Sequence, residues 1–524
     1  MIGGAAHLAR NLRAGFVLAR EGALGLIDAS GLPPGARLGL RLARLVERRG
    51  ASAGTARLSA ALTRLGPSYV KFGQFLATRP DIVGVTAARD LERLQDRMAP
   101  FPQDEAERSV AAAVGRPLRS AFASFGPAVA AASIAQVHQA VTPAADGGRM
   151  LAIKIVRPGV RERFARDLQA MRYAARLAER HLAEARRLRP TEIVETLARS
   201  VAVEIDLRLE AAALSELAEN TAGDPDFRVP VPDWELTSRD VLASEWIDAI
   251  PLHRLAAIDA AGHDRSALAR VVIQSFLRHA IRDGFFHADM HPGNLMVDAE
   301  GRLVAVDTGI MGRLGLKERR FLAEILLGFI RRDYRHVARV HFEAGYVPAR
   351  HSIEDFAQAI RAIGEPIHNR RADEISMARL LTLLFEITAL FDMATRSELV
   401  MLQKTMVVVE GVARMLDPRL DIWATSEPVV REWIERNLGP VGRVEEAGRS
   451  LAVLARVAAD LPVMAQRVER ILAKLEGTIN GGVSLERDTV FGAGRHPTRT
   501  LRFIAAALWT ILAMLVVMAL TAAA

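Results

Sequence analysis

Three polar residues that lie close together in the sequence, Asp289, Asn294 and Asp307, are of the types that assist phosphoryl transfer. Such a site needs one carboxylate to orient the attacking group, and oxygen ligands for the magnesium ion that bridges the phosphates. Residues 295–297 and 303–306 are apolar and predict two short strands joined by a turn. This hairpin would place Asn294 and Asp307 at strand ends that face one cleft. On these residues alone, a polar loop beside a buried hairpin remains the alternative.

The order of these residues matches two protein-kinase motifs, H-R-D-L-x-x-x-N and D-F-G. The first motif corresponds to the stretch from His287 to Asn294, and the second to the residues D-T-G that begin at Asp307. The match assigns Asp289 as the catalytic residue, and Asn294 and Asp307 as the magnesium ligands. A site of this kind also needs residues that hold the nucleotide itself.

An alanine-rich stretch upstream is the candidate for that task. Ala130, Ala132 and Ala135 occupy the three glycine places of the kinase loop G-x-G-x-x-G-x-V, with Val137 in register. The sequence L-A-I-K that ends at Lys154 matches V-A-I-K, whose lysine pairs with the nucleotide phosphates. Because alanine carries a β-carbon, it approaches phosphate oxygens less freely than glycine, and we expect a stiffer lid. The alanines alone indicate nothing; their register with Lys154 does.

Lys154 needs a carboxylate partner, and residues 191–217, interpreted as one helix, supply candidates. Asp206 and Glu210 share a face of that helix, whereas Glu204 lies about two-thirds of a turn away from Glu210. We therefore expect Glu210 to pair with Lys154, and Glu204 to pair with a second cation. A solvated acidic face is the alternative.

Lys71 is the candidate for that second cation. Lys71 and Gln74 are three residues apart on a predicted helix and are neighbours on one face. Together they could donate several hydrogen bonds to a phosphate or a carboxylate. In isolation, this stretch is also explained by a helix with an ordinary polar face.

The place of a kinase hinge, which offers backbone groups to adenine, falls at the end of a predicted strand over residues 241–247. Its last three residues, Glu245, Trp246 and Ile247, are the candidate adenine-binding residues. Further on, the chain passes almost directly from Gly309 into a predicted helix near residues 317–332. Protein kinases have a long segment here, ending in A-P-E, on which a peptide substrate docks. Its absence counts against an ordinary protein kinase.

The composition favours a large, mainly helical chain. Its 524 residues leave room for two or three domains, and half of them are hydrophobic, although only 5% are aromatic. Cysteine is absent, which excludes disulfides and cysteine-ligated metal. The net charge of +8 suits nucleic acid or an anionic membrane surface. Because the arginines are spread along helical stretches without interleaved aromatics, we expect no nucleic-acid partner.

The C-terminal end of the sequence favours association with a membrane, and the N-terminal end allows it. Residues 503–524 carry no charge, and roughly 20 such residues span the core of a bilayer. Arg495, Arg499 and Arg502 precede this segment and favour a cytoplasmic location for the rest of the chain. Residues 1–60 predict amphipathic helices, one of which could lie against a membrane surface. A buried C-terminal helix and ordinary N-terminal helices are the alternatives.

Taken together, these motifs resemble those of the UbiB family of atypical kinases, membrane-linked proteins that support ubiquinone biosynthesis. The resemblance runs from about residue 60 to residue 420. The corresponding residues are K-x-G-Q at Lys71 to Gln74, the alanine-rich loop at Ala130 to Ala135, the nucleotide lysine Lys154, E-x-D at Glu204 to Asp206, the lysine-pairing Glu210, the catalytic loop at His287 to Asn294, and the metal-binding Asp307.

The resemblance implies an α+β fold: a protein-kinase-like, two-lobed and mostly helical chain with an N-terminal helical extension and a C-terminal transmembrane helix. The extension would fold over the cleft, where Lys71, Gln74, Glu204 and Asp206 would act as gating residues that block a protein substrate. Bound ATP and Mg²⁺ are implied as cofactors. The reaction implied is ATP hydrolysis, or phosphorylation of a non-protein substrate in ubiquinone synthesis.

One residue departs from the family pattern. Thr308 stands where the family usually has phenylalanine, and threonine cannot supply that residue's packing against the helix that carries Glu210. The expected domains are N-terminal helices (1–60), the K-x-G-Q helical extension (61–124), a kinase-like N-lobe with the alanine-rich loop and inserted helices (125–250), a helical C-lobe with the catalytic loop (251–476), a linker (477–501) and a transmembrane segment (502–524).

The leading hypothesis is a membrane-anchored atypical kinase or ATPase at the bacterial inner membrane, with a cytoplasmic catalytic domain and a single-pass C-terminal anchor. It would act on lipid-like intermediates, or help to extract them, rather than phosphorylate proteins. Expected partners are membrane lipid and the enzymes or intermediates of ubiquinone biosynthesis; a homodimer is left open. The alternative is a nucleotide-binding scaffold without turnover, and an ordinary protein kinase comes third. The retained Lys154, Asp289, Asn294 and Asp307 favour the enzyme.

Overall fold

The part of the chain that the structure describes includes the K-x-G-Q residues and all of the kinase-like motifs. The computed structural model describes residues 2–26, 41, 45–48, 57–77, 83, 87, 90–91, 94, 98–181, 186, 189–367, 386–388, 390–393 and 397–438. The predicted linker (477–501) and spanning segment (502–524) lie outside these residues. Among the described residues, no helix combines the length and apolar character needed to cross a bilayer.

The N-terminal region is helical, as predicted. Its elements are α1 (Ile2–Arg20), a 3₁₀ turn (Ala23–Leu26), α2 (Arg57–Leu65) and α3 (Pro67–Ala77). Leu62, Leu65, Leu91 and Leu94 form the centre of a small apolar core. Gly66 makes the turn from α2 to α3 with a φ of +102°, a conformation that glycine adopts without strain. The K-x-G-Q residues therefore lie on α3.

A four-stranded antiparallel sheet follows, whose strands are, in spatial order, β1 (Ser124–Ala131), β2 (Ala135–Val141), β3 (Met150–Val156) and β5 (Val241–Glu245). The elements of this part of the chain are α4 (Gln103–Val114), α5 (Leu118–Ala121), β1 (Ser124–Ala131), β2 (Ala135–Val141), β3 (Met150–Val156), α6 (Val160–His181), α7 (Pro190–Glu204), α8 (Leu207–Asn220), β4 (Phe227–Arg228), β5 (Val241–Glu245) and β6 (Ala249–Pro251). Side chains alternate along β3, so Leu151, Ile153 and Ile155 enter the core with Val110 of α4. Lys154 consequently projects from the opposite face.

The prediction of one helix over residues 191–217 is wrong, because the chain forms two helices there. Asp206 separates them as the N-cap of α8, where its carboxylate accepts the backbone N–H of Arg208 at 3.3 Å. Aspartate is among the favoured residues at this position because it satisfies a free N–H of the first turn. Glu204 therefore ends α7, whereas Glu210 lies in the first turn of α8.

The second half of the kinase-like region contains short strands followed by helices. Its elements are α9 (Leu255–Ala260), α10 (Arg265–Leu277), a π-helical turn (Arg278–Asp283), β7 (Phe285–His287), β8 (Leu295–Asp298), β9 (Leu303–Ala305), β10 (Met311–Arg313), α11 (Leu316–Ile330), α12 (Tyr334–Glu343), α13 (Ile353–Ile367), α14 (Ser397–Leu416) and α15 (Ile422–Leu438). The predicted hairpin is confirmed, since β8 and β9 pair antiparallel within the sheet β4–β9–β8–β6. β7 pairs with β10.

The helices that follow the strands pack against one another and against α10. The predicted helix near 317–332 is confirmed as α11. Tyr334, Phe356 and Phe391 belong to a core shared by α12 and α13, and α14 packs against α10. The described residues up to Arg431, apart from Arg41, belong to one compact unit. The site lies within this unit.

Candidate active site

Lys154 lies between two carboxylates. Its Nζ donates to Glu210 Oε1 at 2.7 Å and to Asp307 Oδ2 at 3.2 Å. Lys154 comes from the solvent-side face of β3, Glu210 from the first turn of α8, and Asp307 from the residues that follow β9. The contact expected between Lys154 and Glu210 is present, and their binding of a nucleotide stays a prediction. The contact with Asp307 also joins the predicted phosphate-binding lysine to a predicted metal ligand.

When all three of its groups are ionised, this cluster carries one more negative than positive charge. Burial opposes the charged form of Lys154, but Asp307 and Glu210 outweigh it and raise the lysine pKa. Burial raises the pKa of Glu210 to about 7, and Asp307 acts in the same direction against the opposing effect of Lys154. Although burial also opposes ionisation of Asp307, Lys154 and the N–H of Gly309 hold its pKa well below its usual range. A cation bound beside Asp307 would offset the excess charge.

The loop around Asp289 is fixed by two hydrogen bonds. The backbone N–H of Asp289 donates to Nδ1 of His287 at 3.0 Å. Burial lowers the pKa of His287, so a neutral ring is available to accept that bond. Asn294 Nδ2 donates to the carbonyl of Asp289 at 3.1 Å. The Asp289 side chain is 34% exposed and can therefore meet a ligand from the cleft.

The β8–β9 hairpin brings Asn294 and Asp307 to the same end of the sheet, because the N–H of Val306 donates to the Asn294 carbonyl at 3.1 Å. Amide and carboxylate oxygens suit magnesium, which proteins hold through few ligands when phosphate oxygens complete the shell. Among the described residues, no group of three or more His, Cys, Asp or Glu could hold a metal without such help. The donors therefore fit a magnesium ion shared with a phosphate ligand.

Thr308, the departure from the family pattern, still contacts the helix that carries Glu210. It is buried, and its Oγ1 donates to the backbone carbonyl of Glu210 at 3.4 Å. A hydrogen bond thus connects Thr308 to α8 in place of the apolar packing that a phenylalanine would provide.

The alanine-rich segment forms the turn between β1 and β2. Ala130 pairs with Val137 across the two strands, and the N–H of Ala132 donates to the carbonyl of Ala135 at 2.8 Å. Arg157, which follows β3 directly, donates from Nε to the Ala132 carbonyl at 2.8 Å. The sequence pattern gave no indication of this arginine. The turn is therefore anchored at its tip, while contact of the alanines with a nucleotide stays a prediction.

The predicted hinge strand ends two residues earlier than expected, at Glu245. The N–H of Glu245 donates to the carbonyl of Val231, and the N–H of Trp246 donates to the carbonyl of Met150. The Glu245 carboxylate is bound by the arginine of β4 at 2.6 Å. Within the described residues, the N–H of Ile247 donates no hydrogen bond. Of the three predicted adenine-binding residues, Ile247 is thus the one with a backbone donor to offer.

The four predicted gating residues divide into two groups. Lys71 on α3 pairs with Glu204 at the end of α7, and their side chains are only 11% and 20% exposed. Gln74 donates instead to a backbone carbonyl of an adjoining segment at 3.5 Å. Asp206 caps α8 and pairs with Arg208 at 2.7 Å. The structure therefore brings Lys71 and Glu204 together, but not Gln74 or Asp206 with them.

A buried ionic network joins α8 to the π-helical turn before the catalytic loop. Arg282 Nη1 donates to Asp224 Oδ1 at 2.6 Å, and its Nη2 donates to the carbonyl of Asn220 at 3.1 Å. His279 Nε2 lies 3.5 Å from the same carboxylate. Burial opposes ionisation of Asp224, yet hydrogen bonds from His279 and Arg282 hold its pKa well below its usual range. No spacing in the sequence indicated this network.

Thr405 is a second supporting residue that the sequence did not indicate. It is fully buried in α14, and its hydroxyl lies 3.0 Å from the carbonyl of Ala288 and 2.8 Å from that of Met401. A hydrogen bond thus connects α14, in the helical region that follows the strands, to Ala288, the residue next to Asp289.

A lysine held by a helix glutamate, a catalytic loop and an aspartate beyond a short hairpin define a kinase-like protein. Residues 93–341 match the ABC1 atypical kinase-like domain, and residues 360–421 match the UbiB helical domain. The chain is 39% identical over 411 residues to a probable protein kinase UbiB of Marinobacter nauticus, covering 78% of this chain and 75% of the relative.

Two further relatives carry the same name. A probable protein kinase UbiB of Xanthomonas axonopodis pv. citri is 39% identical over 416 residues, covering 78% of this chain and 75% of the relative. One of Aliivibrio fischeri is 37% identical over 433 residues, covering 80% and 79%. The chain belongs to the UbiB family of atypical kinases. The resemblance inferred from its motifs is thereby confirmed, as are the kinase-like fold and the assignment as an enzyme.

Proposed function

We propose that this atypical kinase binds MgATP and transfers or releases its terminal phosphoryl group. The observation that supports the proposal most strongly is the contact of Lys154 with both Glu210 and Asp307. This contact supports a cation for phosphate oxygens beside a carboxylate suited to magnesium. When all three groups are ionised, one negative charge is left for the metal to offset. A chain that only needed a rigid framework would gain nothing from excess negative charge gathered beside the buried Glu210.

Each residue of the cleft has a distinct task in this proposal. Lys154, held by Glu210, binds phosphate oxygens, while Asn294 and Asp307 hold the magnesium ion. When bound, that ion would offset the negative charge of the phosphate groups during transfer. Asp289 orients the acceptor and takes its proton. The free N–H of Ile247 would donate to adenine.

A lipid-like acceptor fits better than a protein. From Asp307 the chain passes through the three-residue strand β10 directly into α11, leaving no long segment for a peptide to dock on. The buried pair of Lys71 and Glu204 ties α3 to α7 and would restrict access further. Family membership supports a task in ubiquinone biosynthesis.

The uncharged residues 503–524 support anchoring at the bacterial inner membrane, with the catalytic region on the cytoplasmic side. This location would bring the cleft close to lipid-soluble intermediates and to the enzymes that process them. A scaffold that binds nucleotide without turnover is the second candidate. The two candidates differ at Asp289, because an enzyme needs this carboxylate for phosphoryl transfer and a scaffold does not.

The test is the ubiquinone content of a strain whose chromosomal copy carries Asp289→Asn. The enzyme predicts loss of ubiquinone at normal protein level, whereas a scaffold predicts normal ubiquinone. Glu300→Gln, at the exposed tip of the adjoining β8–β9 hairpin, is the matched control and should leave ubiquinone unchanged. Lys71→Ala should keep MgATP binding in the purified protein while ubiquinone falls, because only gating is removed.

A further inference from the structure

The helical N-terminal region contains a basic cavity that the proposed phosphoryl site does not use. Arg10 and Arg13 of α1 and Arg163 and Arg166 of α6 line an open cavity of about 370 Å³. One carboxylate, that of Asp167, lies among them. Four guanidinium groups and one carboxylate give the cavity a net charge of +3. Its volume is in the range of ~300–1,000 Å³ that is usual for small-molecule sites.

Contacts outside the cavity fix the two helices that supply these arginines. Asn11 Nδ2 donates to the carbonyl of Ala170 at 3.0 Å. One turn earlier on α1, the ring of His7 stacks on that of Tyr173, with centroids 6.3 Å apart. As residue numbers fall along α1 they rise along α6, so the helices run antiparallel. Arg10 and Arg13, on either side of Asn11, therefore line the same cavity as the arginines near the start of α6. The cavity is therefore a consequence of how α1 docks on α6.

Arg163 is held at the turn that begins α3. Its Nη2 donates to the carbonyl of Leu65 at 3.1 Å, and its Nε lies 4.0 Å from Asp167 Oδ2. A β-carbon at Gly66 would lie 2.1 Å from Arg163 Nη2, so the guanidinium occupies space that only glycine leaves open. This places one cation of the cavity directly against the helix that carries Lys71.

The other three arginines have no such partner. Within the part of the chain that the structure describes, Arg10, Arg13 and Arg166 form neither an ion pair nor a side-chain hydrogen bond. Like charges gathered on one cavity repel each other, and an anion between them would reverse that effect. Tyr69 lines the same cavity, and burial together with Asp167 raises its pKa, so its hydroxyl is a neutral donor.

We propose that this cavity binds a phosphate group through Arg10, Arg13 and Arg166. Guanidinium forks match the oxygens of phosphate in geometry, and several of them around one anion are typical of phosphate recognition. The phosphate could belong to an anionic lipid headgroup or be free in solution. Tyr69 lies two residues before Lys71 on α3, so the bound group would act on the helix that we expect to gate the cleft.

The test is calorimetric titration of the full chain, without nucleotide, using three soluble probes. These are inorganic phosphate, dihexanoylphosphatidylglycerol and dihexanoylphosphatidylcholine, the last being zwitterionic. We compare the variant Arg13→Gln/Arg166→Gln with the parent on the phosphate probe that the parent binds more tightly. The variant should bind this probe about tenfold more weakly than the parent does, since two charge-assisted contacts are lost. Arg20→Gln/Arg180→Gln removes two exposed arginines from the same helices outside the cavity and should match the parent.

The outcomes separate the two phosphate sources and the two sites. Tighter binding of phosphatidylglycerol than of inorganic phosphate identifies a lipid headgroup, and equal binding identifies free phosphate. Lys154→Met should leave the affinities for phosphatidylglycerol and inorganic phosphate unchanged. If the phosphate were bound in the nucleotide cleft, this variant would lose that binding. Arg10→Gln provides an independent reading if the double variant does not fold. Parent-like affinity in the Arg10 and double variants, or no binding by the parent, would overturn the proposal without bearing on MgATP.

Discussion

The hydroxyl of Thr405 lies 3.0 Å from the carbonyl of Ala288, the residue before Asp289. The two residues are 117 positions apart, in the helical region and in the catalytic loop. Both are buried, so water does not replace this bond when it is lost. The helical region therefore takes part in positioning the proposed catalytic aspartate, as well as in completing the core.

Thr405→Val should lower the turnover of MgATP about fivefold and leave its affinity within twofold. Valine keeps the shape of threonine but loses the donor, and one such bond is worth ~1 kcal/mol. The measurement is steady-state turnover together with nucleotide binding. Thr425→Val is the matched control, because Thr425 is also buried but its hydroxyl bonds only within its own helix, to Asp421 at 2.7 Å. Equal turnover in the two variants would deny Thr405 a positioning role.

Asp224→Asn should destabilise the protein strongly. The carboxylate is 6% exposed and lies among Arg278, His279 and Arg282, so the substitution removes its charge from a largely buried set of contacts. Arg278 keeps its pair with Asp226, and Arg282 keeps its pair with Asp283. The loss of charge-assisted hydrogen bonds to a buried carboxylate lowers the free energy of unfolding by about 1.5–3 kcal/mol. Urea unfolding measures the change. Asp259→Asn, whose pair with an arginine is exposed, should change stability by less than ~1 kcal/mol. Similar effects of the two substitutions would contradict the network.

The stability of the ligand-free protein should depend on pH through Glu210. Folding raises the pKa of this carboxyl from 4.5 to about 7, so the folded state holds the proton more tightly. Its stabilising contribution is complete below the unfolded pKa and is lost as the pH rises through about 7. Relative to Glu210→Gln, the parent should lose up to about 3 kcal/mol of unfolding free energy between about pH 5 and pH 8.

Urea unfolding across that pH range gives this difference directly. Glu216→Gln is the control, since Glu216 lies on the same helix but its side chain is 37% exposed and pairs with Arg313. It should run parallel to the parent. The same pH slope for the parent and Glu210→Gln would show that Glu210 is ionised throughout.

Patterns among neighbouring residues correctly predicted the short-range features of the site. The apolar runs on either side of the turn after Asp298 specified the β8–β9 hairpin, and with it the placement of Asn294 and Asp307 at one end of the sheet. The register of the alanines with Lys154 identified the kinase-like loop, which forms the turn between β1 and β2, and the lysine, which lies on β3. Opposite charges at motif positions then sufficed to predict that Lys154 meets Glu210.

The remaining features depend on tertiary structure or on a competition between local signals. Helical periodicity runs through residues 191–217, but the capping preference of Asp206 prevailed and divided the segment. Thr405 and Arg282 lie in ordinary helical contexts, and only the folded chain shows which distant carbonyl or carboxylate each one reaches. The polar contact of Thr308 with α8 was likewise invisible, because the pattern indicated only that a phenylalanine was missing.

The most direct test of the proposed function is the MgATP affinity of Asp307→Asn. Asp307 is the carboxylate that we assign to the metal, and its loss should weaken binding at least about tenfold and abolish the dependence of binding on magnesium. Calorimetric titration with and without magnesium measures both effects, and Glu300→Gln on the same hairpin should bind as the parent does. If Asp307→Asn bound MgATP as tightly as the parent, with the same dependence on magnesium, the account of this cleft would be contradicted.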